Sequence, residues 1–590
     1  MTKNKKSYMG KYENKPSCST LNLKKHSYKK IALTAILSRI ILFVGITISY
    51  TLFPDIYPGD DVMQFDLRLN VDNNDNVVPF CLVHNNNNDN DCNEYEYNKG
   101  TISIHTMISK NRFYKNILTG LTRWDAARFL NIATFEQSRY NNNNNHNPQQ
   151  CNDNNNNYNE EDNCFVLSEQ AHAFFPLYPL IIRFVCNNIL LRYIPTALLP
   201  STHEGVMVLS GLLVNNIAFV LSAMLLFHLT LCTIPSNDIN NSNNVRIAEM
   251  CSILFSFNPA SIFFSTNYSE SIFVFLTLLG YICIYNHHLV LSTIPWMLAS
   301  YTRSNGIVHS IFYIIHAALS SSIDTLSNHH HMAIILKFIK AIILSCLLWL
   351  PMIYHDYNGY IKHCKTDYNV DYLTITPSWC NDNTTSSIFY FSLYSYVQKK
   401  HWNVALFNYY TITQIPNFIL AAPVVLIVFY AAYTFFFNSY YEFIEQSSQS
   451  PATIYQWIIS ILQHHYHDNN PNTKNNTTMQ HNYLIGPKLL PYYIIMITYC
   501  LLGVLIAHVQ ITTRMICSSS PAFYWFIGYT LIRDYNKHHN NTGNDVPSMK
   551  DIIVHQYYSK ESIMSKIILL YFLLYILLGI VMHVNWLPWT

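Results

Sequence analysis

The sequence predicts an all-α polytopic membrane protein, a multi-span helical bundle with a long first hydrophilic loop. Half of the 590 residues are hydrophobic and only 12% are charged, whereas soluble proteins carry roughly a quarter charged residues. Several windows of about 20 residues are apolar enough to cross the hydrocarbon core of a bilayer as helices. Together these windows predict about eight to eleven spans.

The apolar windows fall into a stronger and a weaker group. The stronger ones are long and nearly free of charge: Ile31–Phe53, Gly205–Leu231, Tyr268–Tyr285, Met332–Ile353, Ile415–Phe437, Leu490–Ala507 and Ile563–Met582. The weaker candidates are Phe174–Leu191, Ile247–Phe264, Leu289–Ala318 and Pro521–Ile532. We therefore expect residues 173–590 to form the multi-span domain.

Residues 1–30 form a polar tail rich in lysine. The positive-inside rule keeps such a tail in the cytosol, so residues 31–53 are predicted to be an uncleaved first anchor. A cleaved signal peptide is the alternative, but the span is longer than the usual apolar region and no small-residue cleavage site follows it. The loop formed by residues 54–172 then faces the exoplasmic or lumenal side.

The first loop combines polar insertions with one ordered segment. The runs Asn86–Asn90, Asn141–Asn145 and Asn154–Asn157 cannot bury apolar surface and indicate insertions. In Trp124–Ile132, by contrast, apolar residues recur at helical spacing, which predicts an amphipathic helix on the membrane surface. Asp125 falls in its first turn and has two interpretations: a charge that favours the helix dipole, or a general base.

Four polar clusters interrupt or flank the apolar windows: Asn258–Ser271, Arg303–Gly306, His508–Arg514 and His583–Thr590. A charged residue near the middle of a membrane costs roughly 2.5–3.5 kcal/mol on insertion scales. Four such clusters in one chain predict a shared polar cavity. The alternative is that each cluster lies among the headgroups, where long side chains reach water.

The 14 cysteines show no CxxC pair and no zinc-ligand spacing. Cys364 and Cys380 share one hydrophilic loop, at about residues 356–414. They pair in a disulfide if this loop is lumenal, or they remain two separate thiols. Glycosylation sequons, which count only if lumenal, begin at Asn240, Asn267, Asn383, Asn475, Asn476 and Asn540.

Other functional classes find little support in the sequence. A net charge of +2 provides no global field for binding nucleic acid. Nucleotide-binding and metalloprotease motifs are missing from the sequence. The histidine-rich tracts near residues 464–467 and 538–539 have no acidic or cysteine partners, so no metal site is predicted.

Seven short motifs run from the first loop to the last residue: Arg123-Trp124-Asp125-Ala126, Ala173-Phe174-Phe175-Pro176, Asn258-Pro259-Ala260-Ser261, Arg303-Ser304-Asn305-Gly306, Pro377-Ser378-Trp379-Cys380, His508-Val509-Gln510 and Pro588-Trp589-Thr590. In this order they resemble the family of second GPI mannosyltransferases. The sequence departs from the family where the Asn-rich stretches lengthen its loops.

The resemblance implies a GT-C-type glycosyltransferase, a multi-pass protein of the endoplasmic-reticulum membrane. Such an enzyme would take mannose from dolichyl phosphate mannose on the lumenal side and add the second mannose, in α-1,6 linkage, to the GPI precursor. It needs no cofactor besides this lipid-linked donor. In some lineages the family also suggests a small accessory membrane subunit.

The resemblance also assigns roles to individual residues. Asp125 becomes the catalytic base in a single inverting displacement, while Arg303 and Arg514 clamp the departing phosphate. Trp124 either stacks on a sugar or anchors its helix at the membrane interface. The full set of predicted substrate-binding residues is Arg123, Trp124, Glu270, Arg303, Asn305, His508, Gln510 and Arg514.

Two alternatives from other functional classes remain. A polyprenyl-lipid transporter would also have many spans with polar breaks, but it should show internal repeats, which are not evident. A non-catalytic subunit of a GPI-processing complex would tolerate a change at Asp125.

Overall fold

The computed structural model of this chain is helical, and the residues that it describes contain no strand. These are residues 18–52, 121–122, 124–133, 169–200, 203–234, 242–324, 331–361, 364, 380, 393–446, 487–538 and 563–585. The prediction of an all-α polytopic membrane protein is confirmed. The Asn-rich runs of the first loop, the histidine-rich tract at 464–467 and most predicted sequons lie outside the described residues.

The helices of the described part are α1 (Cys18–Leu52), α2 (125–133), α3 (Leu177–Val185), α4 (His203–Thr233), α5 (Ser242–Ser256), α6 (Glu270–Tyr285), α7 (Thr293–Thr302), α8 (Ser310–Asp324), α9 (His331–Tyr360), α10 (Leu393–Trp402), α11 (Ile415–Gln446), α12 (Leu490–Leu505), α13 (Thr512–Ser519), α14 (Pro521–His538) and α15 (Ile563–Val584). Short 3-10 segments include Glu169–Ala173, Ser261–Phe264, Ser304–His309 and Val509–Ile511.

Within the described residues, five helices are long and apolar enough to cross a membrane: α1, α4, α9, α11 and α15. The apolar helices α6 and α12 are shorter. Two of the weaker windows, Ile247–Phe264 and Leu289–Ala318, break into pieces, because α5 ends before Asn258-Pro259 and a 3-10 segment separates α7 from α8. The described residues therefore contain fewer full-length spans than the eight to eleven predicted for the whole chain.

The first anchor begins earlier than the sequence predicts. Helix α1 starts at Cys18 rather than at Ile31. The reason is that its first turns pack against α5, where Ser27 Oγ donates to Glu249 Oε1 at 2.6 Å and Lys30 Nζ lies 2.7 Å from Glu249 Oε2. The second half of the predicted polar tail is thus part of the bundle.

Helix α4 lies near the centre of the bundle, in contact with α1, α5 and α6. Helices α6 and α7 pack unusually close, because Gly280 presents no side chain to the buried indole of Trp296. A Cβ at Gly280 would lie 2.2 Å from Trp296 Nε1. This indole instead donates a hydrogen bond to the Thr277 carbonyl at 3.2 Å.

Apolar side chains cover the outer faces of the long helices. Leu33, Ile339, Leu426 and Leu570 are examples from α1, α9, α11 and α15, and each is exposed by about half or more. Extended exposed apolar surface of this kind marks contact with a membrane. The polar breaks, in contrast, are turned inward, where they build the site described next.

Candidate active site

The motif of the first loop forms helix α2, and Asp125 is its first residue. Trp124 precedes it with a φ of 58°, a left-handed conformation that is uncommon outside glycine. The Trp124 carbonyl accepts a hydrogen bond from the Ala127 amide at 3.1 Å. The predicted helix with Asp125 in its first turn is confirmed, whereas Arg123 lies outside the described residues.

The apolar side chains of helix α2 pack inside the protein, and its predicted position at the membrane surface stays a prediction. Phe129, Leu130 and Ile132 are all buried. The Phe129 ring lies 5.2 Å from Phe174 and 5.3 Å from Tyr178, edge to face in both cases. The motifs on either side of the Asn-rich spacer therefore meet.

Two arginines from distant parts of the chain meet on the carboxylate of Glu270. Arg514 reaches one oxygen of Glu270 through Nε at 2.8 Å and through Nη2 at 2.6 Å, and Arg303 Nη1 contacts the same oxygen. Arg514 Nη1 also lies 3.4 Å from Asp125 Oδ2. Helices α2, α6 and α13 and the end of α7 thus each bring one charge to a cluster of two cations and two carboxylates.

The four charged groups differ in exposure. The side chain of Glu270 is fully buried, and those of Arg514 and Arg303 are 10% and 16% exposed. The Asp125 side chain is 36% exposed. Asp125 is therefore the carboxylate that a substrate can reach. Glu270, which the sequence predicts to bind substrate, instead forms ion pairs with both arginines.

Aromatic rings form one wall of this cluster. The Arg514 guanidinium stacks 4.3 Å from the Phe263 ring centroid and 4.8 Å from that of Tyr268. His583, from the last polar cluster, packs its ring 5.6 Å from each of the same two rings. Tyr268 also lies close enough to Asp125 to interact with it. Residues from all four polar clusters of the sequence therefore converge here.

In the part of the chain that the structure describes, Asn305 and Gln510 make no side-chain hydrogen bond to this cluster. The two amide atoms of Asn305 are buried and have no hydrogen-bond partner among the described residues. The Asn305 carbonyl accepts a hydrogen bond from Tyr499 Oη at 3.0 Å. Gln510 lies in the 3-10 turn Val509–Ile511 and is partly buried.

His508 makes its contacts elsewhere. Its Nε2–H donates to the Trp402 carbonyl, and its ring lies 4.5 Å from that of Tyr409. Burial lowers the pKa of His508, and the bond to Trp402 opposes this only in part. The ring is therefore neutral near pH 7, and its proton is held on the nitrogen that faces Trp402.

The structure pairs Cys364 with Cys380 in a disulfide, with 5.7 Å between their Cα atoms. Of the two alternatives that the sequence leaves open, the pairing is therefore confirmed. Asn267, one of the predicted sequons, is fully buried at the head of α6. Its side chain abuts Gly211, where a Cβ would lie 1.9 Å from Asn267 Oδ1, so this sequon has no room for a glycan.

Sequence reasoning missed a second polar cluster, built on Asp356 near the end of α9. Asp356 Oδ1 lies 3.5 Å from His172 Nε2 and accepts the Tyr394 amide at 3.0 Å. The rings of His172 and His355 stack at 3.8 Å. A signal was present, since His172 directly precedes the Ala173-Phe174 motif and His355-Asp356 ends an apolar window.

Arg39, in the middle of the first anchor, was also missed. It donates to the carbonyls of Ser256 and Ser261 at 2.8 and 3.1 Å and to Ser265 Oγ at 3.1 Å. Its guanidinium lies 3.8 Å from the Phe219 ring centroid. A single charge inside a window such as Ile31–Phe53 is the signal that would have found it.

Comparisons with known proteins show the family to which the sequence is similar. A family model described as "Mannosyltransferase (PIG-V)" matches residues 161–590. "GPI alpha-1,6-mannosyltransferase 2" of Cricetulus griseus is 27% identical over 519 residues, 82% of this chain and 91% of the relative. The human protein of that name is 25% identical over 513 residues, 81% and 90% of the two chains. "GPI mannosyltransferase 2" of Saccharomyces cerevisiae is 30% identical over 256 residues, 38% and 53%. No solved structure matches.

Proposed function

The chain belongs to the PIG-V mannosyltransferase family, and from this membership we propose that it adds the second mannose of the GPI precursor. The donor is dolichyl phosphate mannose and the new linkage is α-1,6. Relatives named for this reaction, aligned over most of both chains, support the proposal. The enzyme is a glycosyltransferase, and its many apolar helices make it a multi-pass membrane protein.

The observation that carries the mechanism is the difference in exposure between the two carboxylates. A general base must come within hydrogen-bond reach of the proton it removes. Asp125 is 36% exposed, whereas Glu270 is fully buried and bonded to both arginines. Asp125 is therefore assigned as the base that takes the proton from the acceptor hydroxyl.

The two arginines suit the other half of the reaction. As the acceptor oxygen bonds to C1 of the mannose, the bond from C1 to the phosphate oxygen breaks and its electron pair leaves with the phosphate. Guanidinium groups stabilise such an oxyanion and bind phosphate through paired N–H donors. Arg303 and Arg514 are assigned this role, for which no metal ion or other cofactor is needed.

Glu270 holds these guanidinium groups in place before the substrate arrives. Its single engaged oxygen contacts both arginines, which would otherwise repel each other. Preorganised charge of this kind is usually the largest contribution to stabilising a transition state. Glu270 is thus assigned as a positioning residue rather than as a group that contacts substrate.

The lumen of the endoplasmic reticulum is proposed as the side on which the reaction occurs. The disulfide between Cys364 and Cys380 supports an oxidising compartment for that end of the molecule. An accessory membrane subunit remains part of the proposal, because lipid-facing surface is available on α9. Trp124 remains either a platform for a sugar ring or an anchor for α2.

The first prediction tests the base. Asp125→Asn keeps the size of the side chain but removes its ability to accept a proton, so transfer should fall about 10²–10⁴-fold. The measurement is the restoration of GPI-anchored surface proteins in cells that lack the native enzyme, at matched protein level. Asp534→Asn, which changes a carboxylate bonded to Ser565 on another part of the bundle, should restore them fully.

Normal GPI synthesis with Asp125→Asn would contradict the assignment of the base and favour a non-catalytic subunit. A transfer assay with the purified protein, dolichyl phosphate mannose and a mono-mannosylated GPI acceptor separates the remaining alternatives. Transfer by the pure chain identifies the enzyme. Movement of the lipid without transfer would instead indicate a transporter.

A further inference from the structure

A partly buried polar chain connects the Asp356 cluster to Arg303. The Tyr394 amide donates to Asp356 Oδ1 at 3.0 Å, and the hydroxyls of Tyr394 and Ser304 lie 2.7 Å apart. Ser304 directly follows Arg303 in the sequence. Tyr394 thus contacts Asp356 at the end of α9 through its amide, and Ser304, the neighbour of Arg303, through its hydroxyl.

Asp356 is itself fixed by parts of the chain that are far apart in sequence. His172 Nε2 lies 3.5 Å from Asp356 Oδ1, and His355 Nε2 donates to the His172 carbonyl at 2.8 Å. The side chains of His172 and Asp356 are both more than nine-tenths buried. The Asp356 cluster therefore joins the end of the first loop to α9 and α10, outside the Glu270 cluster.

The local backbone explains why Arg303 needs such support. Helix α7 ends at Thr302, and Arg303 adopts an extended conformation with φ −154° and ψ 138° before the chain turns into the Ser304–His309 segment. In the next residue, the Ser304 hydroxyl is held by Tyr394. Fixing Ser304 limits the directions in which the Arg303 side chain can leave the backbone.

Tyr394 is suited to a lasting contact of this kind. Burial raises the pKa of Tyr394, although the bond to Ser304 opposes the shift, so the phenol stays protonated and keeps its hydrogen bond. Its ring also packs edge to face against Phe175, with 5.6 Å between the centroids. Tyr394 is thereby held at its amide, its ring and its hydroxyl.

We propose that Asp356, Tyr394 and Ser304 form a positioning chain that aims Arg303 at the departing phosphate. The inference rests on the proposed function, because it takes that phosphate to be dolichyl phosphate. It assigns a role in the reaction to α10, which lies outside the predicted substrate-binding residues. Because His172 contacts Asp356, the phosphate site then also depends on the packing of the end of the first loop against α9.

The second prediction tests this chain with Tyr394→Phe, which removes only the hydroxyl. We expect kcat/KM for dolichyl phosphate mannose to fall about tenfold, the effect of losing one hydrogen bond, with the KM for the GPI acceptor unchanged. The affinity of the full-length protein for dolichyl phosphate should fall by about the same factor. Tyr396→Phe is the matched control, since this tyrosine of the same helix packs against Lys400 instead.

A double-mutant cycle separates positioning from general stability. In an Arg303→Gln background, Tyr394→Phe should have no further effect on dolichyl phosphate binding, because its target is gone. Multiplicative losses would overturn the inference. So would a lowered melting temperature with unchanged dolichyl phosphate affinity. If the wild-type chain binds dolichyl phosphate but transfers no mannose, the proposed function fails, while the binding measurements still decide on the positioning chain.

Discussion

At the residue scale, Glu270 is the residue that holds the two arginines of the site together. It lies at the first position of α6 and is fully buried, and both arginines rely on it for their negative partner. Buried charges are tolerated only when they are paired and hydrogen-bonded. Removing the charge of Glu270 would leave Arg303 and Arg514 with Asp125 alone, and one of the guanidinium groups would face no carboxylate.

The third prediction follows from this imbalance. Glu270→Gln should abolish measurable transfer and lower the free energy of unfolding by about 3–5 kcal/mol, as expected when one partner of a buried pair is lost. Thermal unfolding in detergent, read beside the transfer assay, measures both effects.

Glu249→Gln is the matched control for Glu270→Gln. It removes the charge that faces Lys30, whose side chain is 40% exposed, while the new amide oxygen can still accept the Ser27 hydroxyl. The loss should therefore stay near the roughly 0–1 kcal/mol that is typical of exposed pairs. Equal losses of stability for the two variants would contradict the role assigned to Glu270.

The charged residues of the site could be predicted from the sequence, but the separate role of each one could not. Asp125, Glu270, Arg303 and Arg514 were all singled out by motif. Which carboxylate is open and which is buried depends on contacts between α2, α6 and α13, and local pattern carries no information on such contacts. His508 shows the same limit, because its bond to the Trp402 carbonyl joins residues about a hundred positions apart.

At the element scale, the length of the apolar windows predicted the long helices. The polar residues that interrupt or flank these windows determined where the other helices begin and end. The windows that became α4, α9, α11 and α15 needed little beyond composition. The start of α1 was missed because its lysine-rich first turns look like a solvated tail until Glu249 is brought beside Lys30. The burial of the apolar side chains of α2 by protein was not predicted, because an apolar helical face does not reveal whether lipid or protein will cover it.

A buried side chain of α1 reaches the break between α5 and α6. The chain leaves the helix at Ser256 and passes through the Ser261–Phe264 turn before α6 begins. Arg39 donates to the Ser256 carbonyl, which the break leaves without a helical partner, and to the Ser261 carbonyl at the start of the turn. This turn also carries Phe263, against which Arg514 stacks.

The fourth prediction concerns this element. Arg39→Met keeps an apolar stem but removes the donors to both carbonyls and leaves that of Ser256 unpaired, at about 1–3 kcal/mol for such a buried group. We expect a clear drop in melting temperature and weaker transfer, with Arg39→Lys in between because an ammonium cannot reproduce the planar fork. Ile40→Val, at an exposed neighbouring position of α1, should behave as the wild type. Full stability of Arg39→Met would contradict this role.

At the scale of the whole molecule, contacts between helices show which helix ends lie at the same end of the bundle. Lys30 pairs with Glu249, and the Asn244 side chain donates to the Ile234 carbonyl at 3.0 Å. The start of α1 therefore lies at the same end as the α4–α5 connection. The first loop leaves α1 at the opposite end, where His172 meets Asp356 near the end of α9.

The fifth prediction uses this arrangement to fix the orientation. The lysine-rich start of α1 favours the cytosol for its end of the molecule. In the sequence, the sequon at Asn240 falls between α4 and α5, and the sequon at Asn383 falls between α9 and α10. We therefore expect the first at the end of the molecule where α1 starts and the second at the opposite end. Because glycans are added only in the lumen, Asn383→Gln should abolish a glycosidase-sensitive shift in gel mobility, and Asn240→Gln should leave it unchanged. A glycan at Asn240 would reverse the orientation and place Asp125 on the cytosolic side, where the disulfide between Cys364 and Cys380 would not persist.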